Sequence, residues 1–258
     1  MKRIKTYIAL LSCLLSCSVL RAQEPLSDFS DTAMIDFLYQ YTCCDEAHFD
    51  SLTISGVGIL LEKAKADMKT YEYVLGFLLN GYSNMGKSQV VDYLLTYPKL
   101  FEGDISVEEG LRLDSITEPY QKVKVGAKAP DFQGVTVDGK KYHLYESESR
   151  QILLVYWSTD CEYCHEFLKD IRKHLNLKSE YELVTFALAD NQNEVVEAVK
   201  DLRLRGYHFY DPLRWESQAF LDYHITSTPT VFLLDLEKNI VCKPYDWTEL
   251  KHYIKTDK

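Results

Sequence analysis

Apolar residues recur every three or four positions through much of residues 25–122, which is the spacing of one face of a helix. The clearest stretch runs from 54 to 84 and predicts one long helix. Its apolar positions are Leu60, Leu61, Ala64, Met68, Tyr71, Val74, Leu75 and Leu78. A second helix is predicted over 90–101, ended by Pro98, with Gly81 and Gly86 in the turn between the two. The pattern predicts an all-α domain over 25–122, a bundle of about four helices.

From about residue 123 the pattern changes to alternating strands and helices. Asp138-Gly139 interrupts an alternating apolar and polar stretch at 134–145, which is typical of a β-hairpin. Continuous apolar runs at 151–157 and 182–189 predict strands covered on both faces. The remaining predicted elements are helices at 162–175, 192–204 and 246–255, and a terminal hairpin of strands 230–235 and 240–244. Residues 123–258 therefore form a predicted α/β domain.

The first 22 residues have the pattern of a signal peptide. Basic residues stand at positions 2, 3 and 5, and Tyr7–Leu20 is an apolar run that ends near a cleavage site at Ala22. That run is shorter than the roughly 18 to 20 residues that a membrane-spanning helix needs. A competing interpretation is a lipid anchor at Cys17, because the sequence LLSC at 14–17 resembles a lipobox. Both interpretations predict export, and we expect a periplasmic location.

The net charge and the cysteine content restrict the partners and cofactors to be expected. The formal charge of −10 argues against a nucleic-acid partner, which calls for clustered Lys and Arg. After removal of the signal peptide, the cysteines are Cys43, Cys44, Cys161, Cys164 and Cys242. Adjacent Cys43 and Cys44 chelate one metal ion poorly, so we expect no metal and interpret them as structural thiols. The alternative is that one of them exchanges with the 161/164 pair or joins Cys242.

Cys161 and Cys164 stand two residues apart and His165 follows directly. This C-x-x-C-H pattern fits either a redox-active dithiol or a c-type haem attachment site. Here the pair follows a predicted buried strand and opens a helix, where unpaired N–H groups stabilise a thiolate on Cys161. Haem is disfavoured because His165 would lie in the first helical turn, backed by a sheet. The position predicts a dithiol and no cofactor.

Pro229 opens an apolar strand, where the missing N–H calls for an explanation. A cis Thr228–Pro229 bond would place the backbone of Thr228 opposite the cysteine pair, free to bind an extended peptide. The alternative is a trans proline at a strand entry.

Three motifs in this order resemble the thioredoxin superfamily, specifically its exported TlpA/ResA-like branch near the AhpC/TSA group. The motifs are Gly126-x-x-Ala129-Pro130-Asp131-Phe132, Trp157-x-x-x-Cys161-x-x-Cys164 and Thr228-Pro229-Thr230. The resemblance covers about residues 123–258 and implies a thioredoxin fold, in which helices flank a central mixed sheet, with an added N-terminal hairpin. Residues 25–122 are similar to an uncharacterised helical domain that precedes such domains in Gram-negative bacteria.

The resemblance implies a thiol–disulfide oxidoreductase that acts as a reductant. Cys161 and Cys164 would be catalytic, and Thr228, Pro229 and Trp157 would hold the substrate. The implied partners are proteins that carry disulfides and a membrane-linked thiol electron donor.

The chain departs from the family pattern at the proton relay. Phe167 stands where relatives of this type often have Glu, and Val155 stands where thioredoxin has a buried Asp. Glu166, His165 or water remain as candidates for the relay. An alternative function from another class is a binding module, in which the thioredoxin scaffold no longer catalyses exchange and the helical domain recruits a partner.

Overall fold

The computed structural model describes residues 26, 28–41, 46–96, 105–174 and 181–254. The predicted signal peptide, the lipid-anchor candidate Cys17, and Cys43 and Cys44 lie outside the described residues. The chain divides into two compact units, residues 1–78 and 79–258. The domain boundary that the sequence predicts near residue 122 stays a prediction.

The described part of the first unit is helical. It contains helices α1 (Asp31–Tyr39) and α2 (Glu46–Ala64) and the start of α3 (Met68–Asn84), which continues into the second unit. The prediction of one helix over 54–84 was wrong, because residues 65–67 interrupt it and separate α2 from α3. Asp67 begins α3 as its N-cap, since its carboxylate accepts the backbone N–H of Thr70 at 2.8 Å and the Thr70 hydroxyl at 2.6 Å.

Two further helices and a small hairpin open the second unit. Helices α4 (Ser88–Thr96) and α5 (Val107–Lys122) follow α3. A capping box between Ser106 and Glu109 fixes the start of α5. Strands β1 (Gln133–Val135) and β2 (Lys141–His143) then pair antiparallel around the turn that contains Gly139. The hairpin predicted from Asp138-Gly139 is confirmed.

A five-stranded mixed sheet forms the centre of the second unit. Its strands are β3 (Gln151–Ser158), β4 (Tyr181–Leu188), β5 (Tyr207–Tyr210), β6 (Thr230–Leu234) and β7 (Ile240–Cys242). They lie in the order β5-β4-β3-β6-β7; β3, β4 and β5 are parallel, and β6 is antiparallel to both β3 and β7. The predicted fold, a mixed sheet of the thioredoxin type, is confirmed.

The helices that follow β3 in this unit are α6 (Glu162–His174), α7 (Gln192–Asp201), α8 (Gln218–Asp222) and α9 (Trp247–Tyr253). Strand β5 and helix α8 were not predicted. Helix α7 ends three residues before the predicted 204, and Arg203 follows it with a positive φ of 53°. Among the described helices, none combines the length and the apolar character that crossing a bilayer requires.

Strand β3 is the core of the sheet because both of its faces are covered. Leu153, Val155 and Trp157 lie in a cluster with Leu168 and Ile171 of α6. The alternate residues of the strand lie in a second cluster with Phe132, Phe186 and Phe232. Each fully buried apolar side chain of this kind contributes roughly 1.5–3 kcal/mol. The strand is thus a rigid support for the turn and the helix α6 that follow its carboxyl end.

Candidate active site

The cysteine pair lies where β3 passes into α6. β3 ends at Ser158, and the N–H of Thr159 donates to Leu188 O of the neighbouring β4 at 3.0 Å. The N–H of Cys161 donates to Ser158 O at 3.2 Å, which closes the turn directly before α6 begins at Glu162. The sequence prediction that Cys161 precedes the first helical turn is confirmed.

Cys161 and Cys164 form a disulfide with a Cα–Cα distance of 5.2 Å. Their environments differ, since Cys161 is half-buried and Cys164 is fully buried. The backbone N–H of Cys164 donates to Cys161 Sγ at 3.1 Å. This donor and the positive end of the α6 dipole stabilise negative charge on Cys161 once the disulfide is reduced. The outer sulfur is thus suited to attack, and the inner one to closing the disulfide again.

The loop before β6 faces the pair. The Thr228–Pro229 peptide bond is cis, as the sequence predicts, and Thr228 O lies 4.0 Å from Cys161 Sγ. The loop is fixed at one end because the Thr230 hydroxyl donates to Ser227 O at 2.7 Å. Strand pairing aligns Tyr156 of β3 with Thr230 of β6, which brings the two loops together at one edge of the sheet.

Trp157 supports the pair from inside the protein. Its side chain is fully buried in the same apolar cluster as Cys164. The indole ring contacts the His165 ring edge to face, with 5.8 Å between the centroids. Trp157 Nε1 and His165 Nε2 are both buried and have no hydrogen-bond partner among the described residues. A direct contact of Trp157 with substrate stays a prediction.

The two relay candidates lie on different sides of α6. His165 is half-buried against Trp157, and Glu166 is exposed. Neither assignment is tested by this geometry, and both stay predictions.

Two exposed tyrosines beside the pair were missed by the sequence analysis. Tyr163, between the two cysteines, is 42% exposed, and its hydroxyl donates to Tyr245 O at 3.4 Å. The two rings lie 6.2 Å apart, and Tyr245 is 52% exposed. Only the position of Tyr163 inside the C-x-x-C motif could have indicated this pair from the sequence.

The remaining described thiol, Cys242, is a core residue, as predicted. It is 3% exposed in β7, and burial raises the pKa of its thiol to about 12, with a further contribution from the Glu249 carboxylate. Among residues that the structure describes, no group of three or more His, Cys, Asp or Glu side chains is arranged to hold a metal ion.

A family model of a thioredoxin-like domain matches residues 139–241, which include the cysteine pair and the cis-proline loop. The chain is 28% identical over 138 residues to thioredoxin-like protein YneN from Bacillus subtilis, an overlap of 49% of this chain and 76% of that protein. It is 25% identical over 125 residues to the thiol-disulfide oxidoreductase ResA from Bacillus cereus, an overlap of 48% of this chain and 70% of ResA.

One solved structure extends the likeness beyond the sheet. A thioredoxin-like protein from Bacteroides caccae superposes with a TM-score of 0.62, although only 16% of residues are identical. The match covers 86% of this chain and 81% of that one, which is more than the α/β region alone. The protein therefore contains a thioredoxin-like domain, similar to those of YneN and ResA, preceded by a helical region.

Proposed function

We propose that this protein is an exported thiol–disulfide oxidoreductase that reduces disulfides in other proteins, here called clients. The observation that carries the proposal is the asymmetry of the pair. A half-buried Cys161 at a helix start is bonded to a fully buried Cys164, and Thr228 O lies 4.0 Å from the outer sulfur. The names of the relatives, thioredoxin-like protein and thiol-disulfide oxidoreductase, support the same chemistry.

The reaction consists of two exchanges. In the reduced protein, the Cys161 thiolate attacks one sulfur of a client disulfide and forms a mixed disulfide, while the electron pair of the broken bond leaves on the other client sulfur as a thiolate. Cys164 then loses its proton and attacks Cys161 Sγ, which releases the second client sulfur. Two electrons pass to the client, which takes up two protons, and the protein ends in the disulfide form.

The loop at Thr228 and Pro229 positions the client. The Thr228 carbonyl lies beside the outer sulfur, so an extended client segment can pair with this backbone while its own sulfur meets Cys161. Trp157 holds the helix start from beneath and excludes water from Cys164. Glu166, His165 or water accepts the proton of Cys164.

The direction and the location belong to the same proposal. Residues 1–22 direct export to the periplasm, either with cleavage near Ala22 or with a lipid anchor at Cys17. A periplasmic reductant needs continuous supply of electrons, because that compartment is kept oxidising. A membrane-linked thiol donor would reduce the Cys161–Cys164 disulfide after each cycle.

Trapping of the mixed disulfide tests the exchange. With Cys164→Ser, the first attack proceeds and the second fails, so clients should stay covalently bound to Cys161 in non-reducing gels. Cys161→Ser should trap none, and Cys242→Ser, which alters a buried thiol outside the pair, should behave as the wild type. Absence of trapped clients with Cys164→Ser would contradict the proposal and favour the alternative binding module.

The reduction potential of the pair tests the direction. Titration against a thiol buffer, read by thiol labelling, should give a value near or below roughly −270 mV, as for thioredoxin. A value approaching roughly −120 mV would instead indicate an oxidant or an isomerase. If no two-electron couple is found at these cysteines, the oxidoreductase proposal fails.

A further inference from the structure

The carboxyl end of α3, which belongs to the second unit, holds the loop that faces the disulfide. The Thr226 hydroxyl lies 3.0 Å from Asn80 Oδ1 and 2.9 Å from Asn84 Oδ1. Asn84 Nδ2 in turn donates to Asn80 Oδ1 at 3.3 Å. Because the two asparagines are four residues apart on a helix, their amide oxygens face the same side and share the single proton that the Thr226 hydroxyl donates. We call these three residues the asparagine latch.

The same stretch of chain also contacts a second loop, residues 243–246, which follows β7 and precedes α9. Lys243 Nζ donates to Ser83 Oγ at 3.2 Å. A Cβ on Gly86 would lie 2.8 Å from Lys243 O and 3.2 Å from Tyr245 N, so the backbone at this turn packs directly on the second loop. Tyr245 contacts Tyr163 between the two cysteines. Residues 80–86 therefore connect the two loops that flank the start of α6.

The latch acts two residues away from the carbonyl that faces the reactive sulfur. Thr226 is exposed and directly follows the buried Ile225, whereas Thr228 O lies 4.0 Å from Cys161 Sγ. The far end of the loop is fixed separately by the bond from the Thr230 hydroxyl to Ser227 O. At the near end, Ile225 is buried in the core and its N–H donates to Phe220 O at 2.9 Å, and the two amides hold the next residue, Thr226. Without the amides, binding of a client would have to order the chain from Thr226 to Thr228, and the entropy lost would weaken binding.

We infer that Asn80 and Asn84 are positioning residues for client binding, acting through Thr226 to preorganise the loop at Thr228. The inference rests on the proposed oxidoreductase function and adds selectivity to it. The occupant is an extended polypeptide around a client cysteine, which runs along the loop. A small disulfide needs only the outer sulfur, so the latch favours protein disulfides over small ones.

A matched pair of substitutions tests the latch. Thr226→Val keeps the shape of the side chain and removes the hydroxyl, whereas Thr226→Ser keeps the hydroxyl. Each reduced variant is assayed with insulin as the polypeptide disulfide and with 5,5′-dithiobis(2-nitrobenzoate) as the small one. We expect Thr226→Val to raise KM for insulin about fivefold with little change in kcat, which is the effect of about one net hydrogen bond. Its rate with the small disulfide should stay within about twofold of the wild type, and Thr226→Ser should restore the insulin KM.

Asn84→Ala and Asn80→Ala repeat the test from the helix side, in case Thr226→Val alters folding, and thermal unfolding checks all variants. An unchanged insulin KM in the folded variants would overturn the inference. An equal loss with both substrates would also overturn it, because it would place the effect on the disulfide itself. If the wild type reduces neither substrate, the proposed function fails rather than the latch.

Discussion

His208 should make the stability of the sheet depend strongly on pH. The residue lies in β5 and is 6% exposed, and its Nδ1 lies 2.9 Å from the Thr185 hydroxyl. Its Nε2 is buried without a hydrogen-bond partner among the described residues, so a second ring N–H would be unsatisfied. Burial lowers the pKa of His208 to about 4 from its ordinary 6.5; nearby Asp138 opposes the shift and Lys140 adds to it.

The sign follows from proton uptake. Between pH 6.5 and about 4, the unfolded chain binds a proton at residue 208 and the folded protein does not, so acid favours unfolding. The contribution of His208 is complete above pH 6.5 and is lost as the pH falls toward 4. A difference of this size amounts to about 3 kcal/mol between pH 7.5 and pH 4.

Urea unfolding at a series of pH values measures this contribution. Fluorescence reports the second unit because all three tryptophans, at positions 157, 215 and 247, lie in it. His208→Asn keeps a polar partner for Thr185 and does not titrate. We expect this variant to lose stability at pH 7.5 and to recover about 3 kcal/mol relative to the wild type by pH 4.

His143→Asn is the matched control with the opposite sign. Asp131 and Glu146 raise the pKa of His143, so its contribution is present at low pH and is lost as the pH rises through the folded pKa. This variant should therefore fall further below the wild type in acid. Parallel pH profiles for the His208→Asn variant and the wild type between pH 4 and 6.5 would refute the reasoning.

Three further predictions concern backbone, thiol and core. Gly206→Ala should lower the free energy of unfolding by at least about 2 kcal/mol, because φ is +137° and the new Cβ would collide with Leu183 O; Gly139→Ala, at φ +83° in open space, should cost about 1 kcal/mol. Burial raises the pKa of Cys242 to about 12, so its thiol should react with iodoacetamide at pH 8 only after the protein unfolds. Labelling of Cys242 in the folded protein, measured by mass spectrometry, would contradict this prediction. Trp157→Ala should cost about 3–5 kcal/mol in urea unfolding, and a loss below about 1 kcal/mol would contradict its place in the core.

The sequence predicted the centre of the site because its signals are local. The buried strand β3, the cysteines at the start of α6 and the hairpin at Gly139 each follow from a short pattern. The break between α2 and α3 was missed because Ala64 and Met68 are four residues apart, so the apolar spacing of a helix continues across it.

Two other features were beyond local patterns. Strand β5 is four residues long at the edge of the sheet, and such a short run carries no clear period. In the asparagine latch, Thr226 contacts Asn84 and Asn80, which precede it by 142 and 146 positions along the chain. Neither asparagine stands in a motif, so only the folded arrangement relates them to Thr226.

The pairing of β3 with β6 has a consequence for how the protein can evolve. The cysteine pair follows β3, and the Thr228–Pro229 loop precedes the antiparallel strand β6. The backbone hydrogen bonds between these two strands therefore fix the distance between the two halves of the site. The chain between them, with β4, α7, β5 and α8, does not set that distance. Loops in this stretch can therefore gain or lose residues, and diversify their outer surface, while the chemistry at the sheet edge is inherited unchanged.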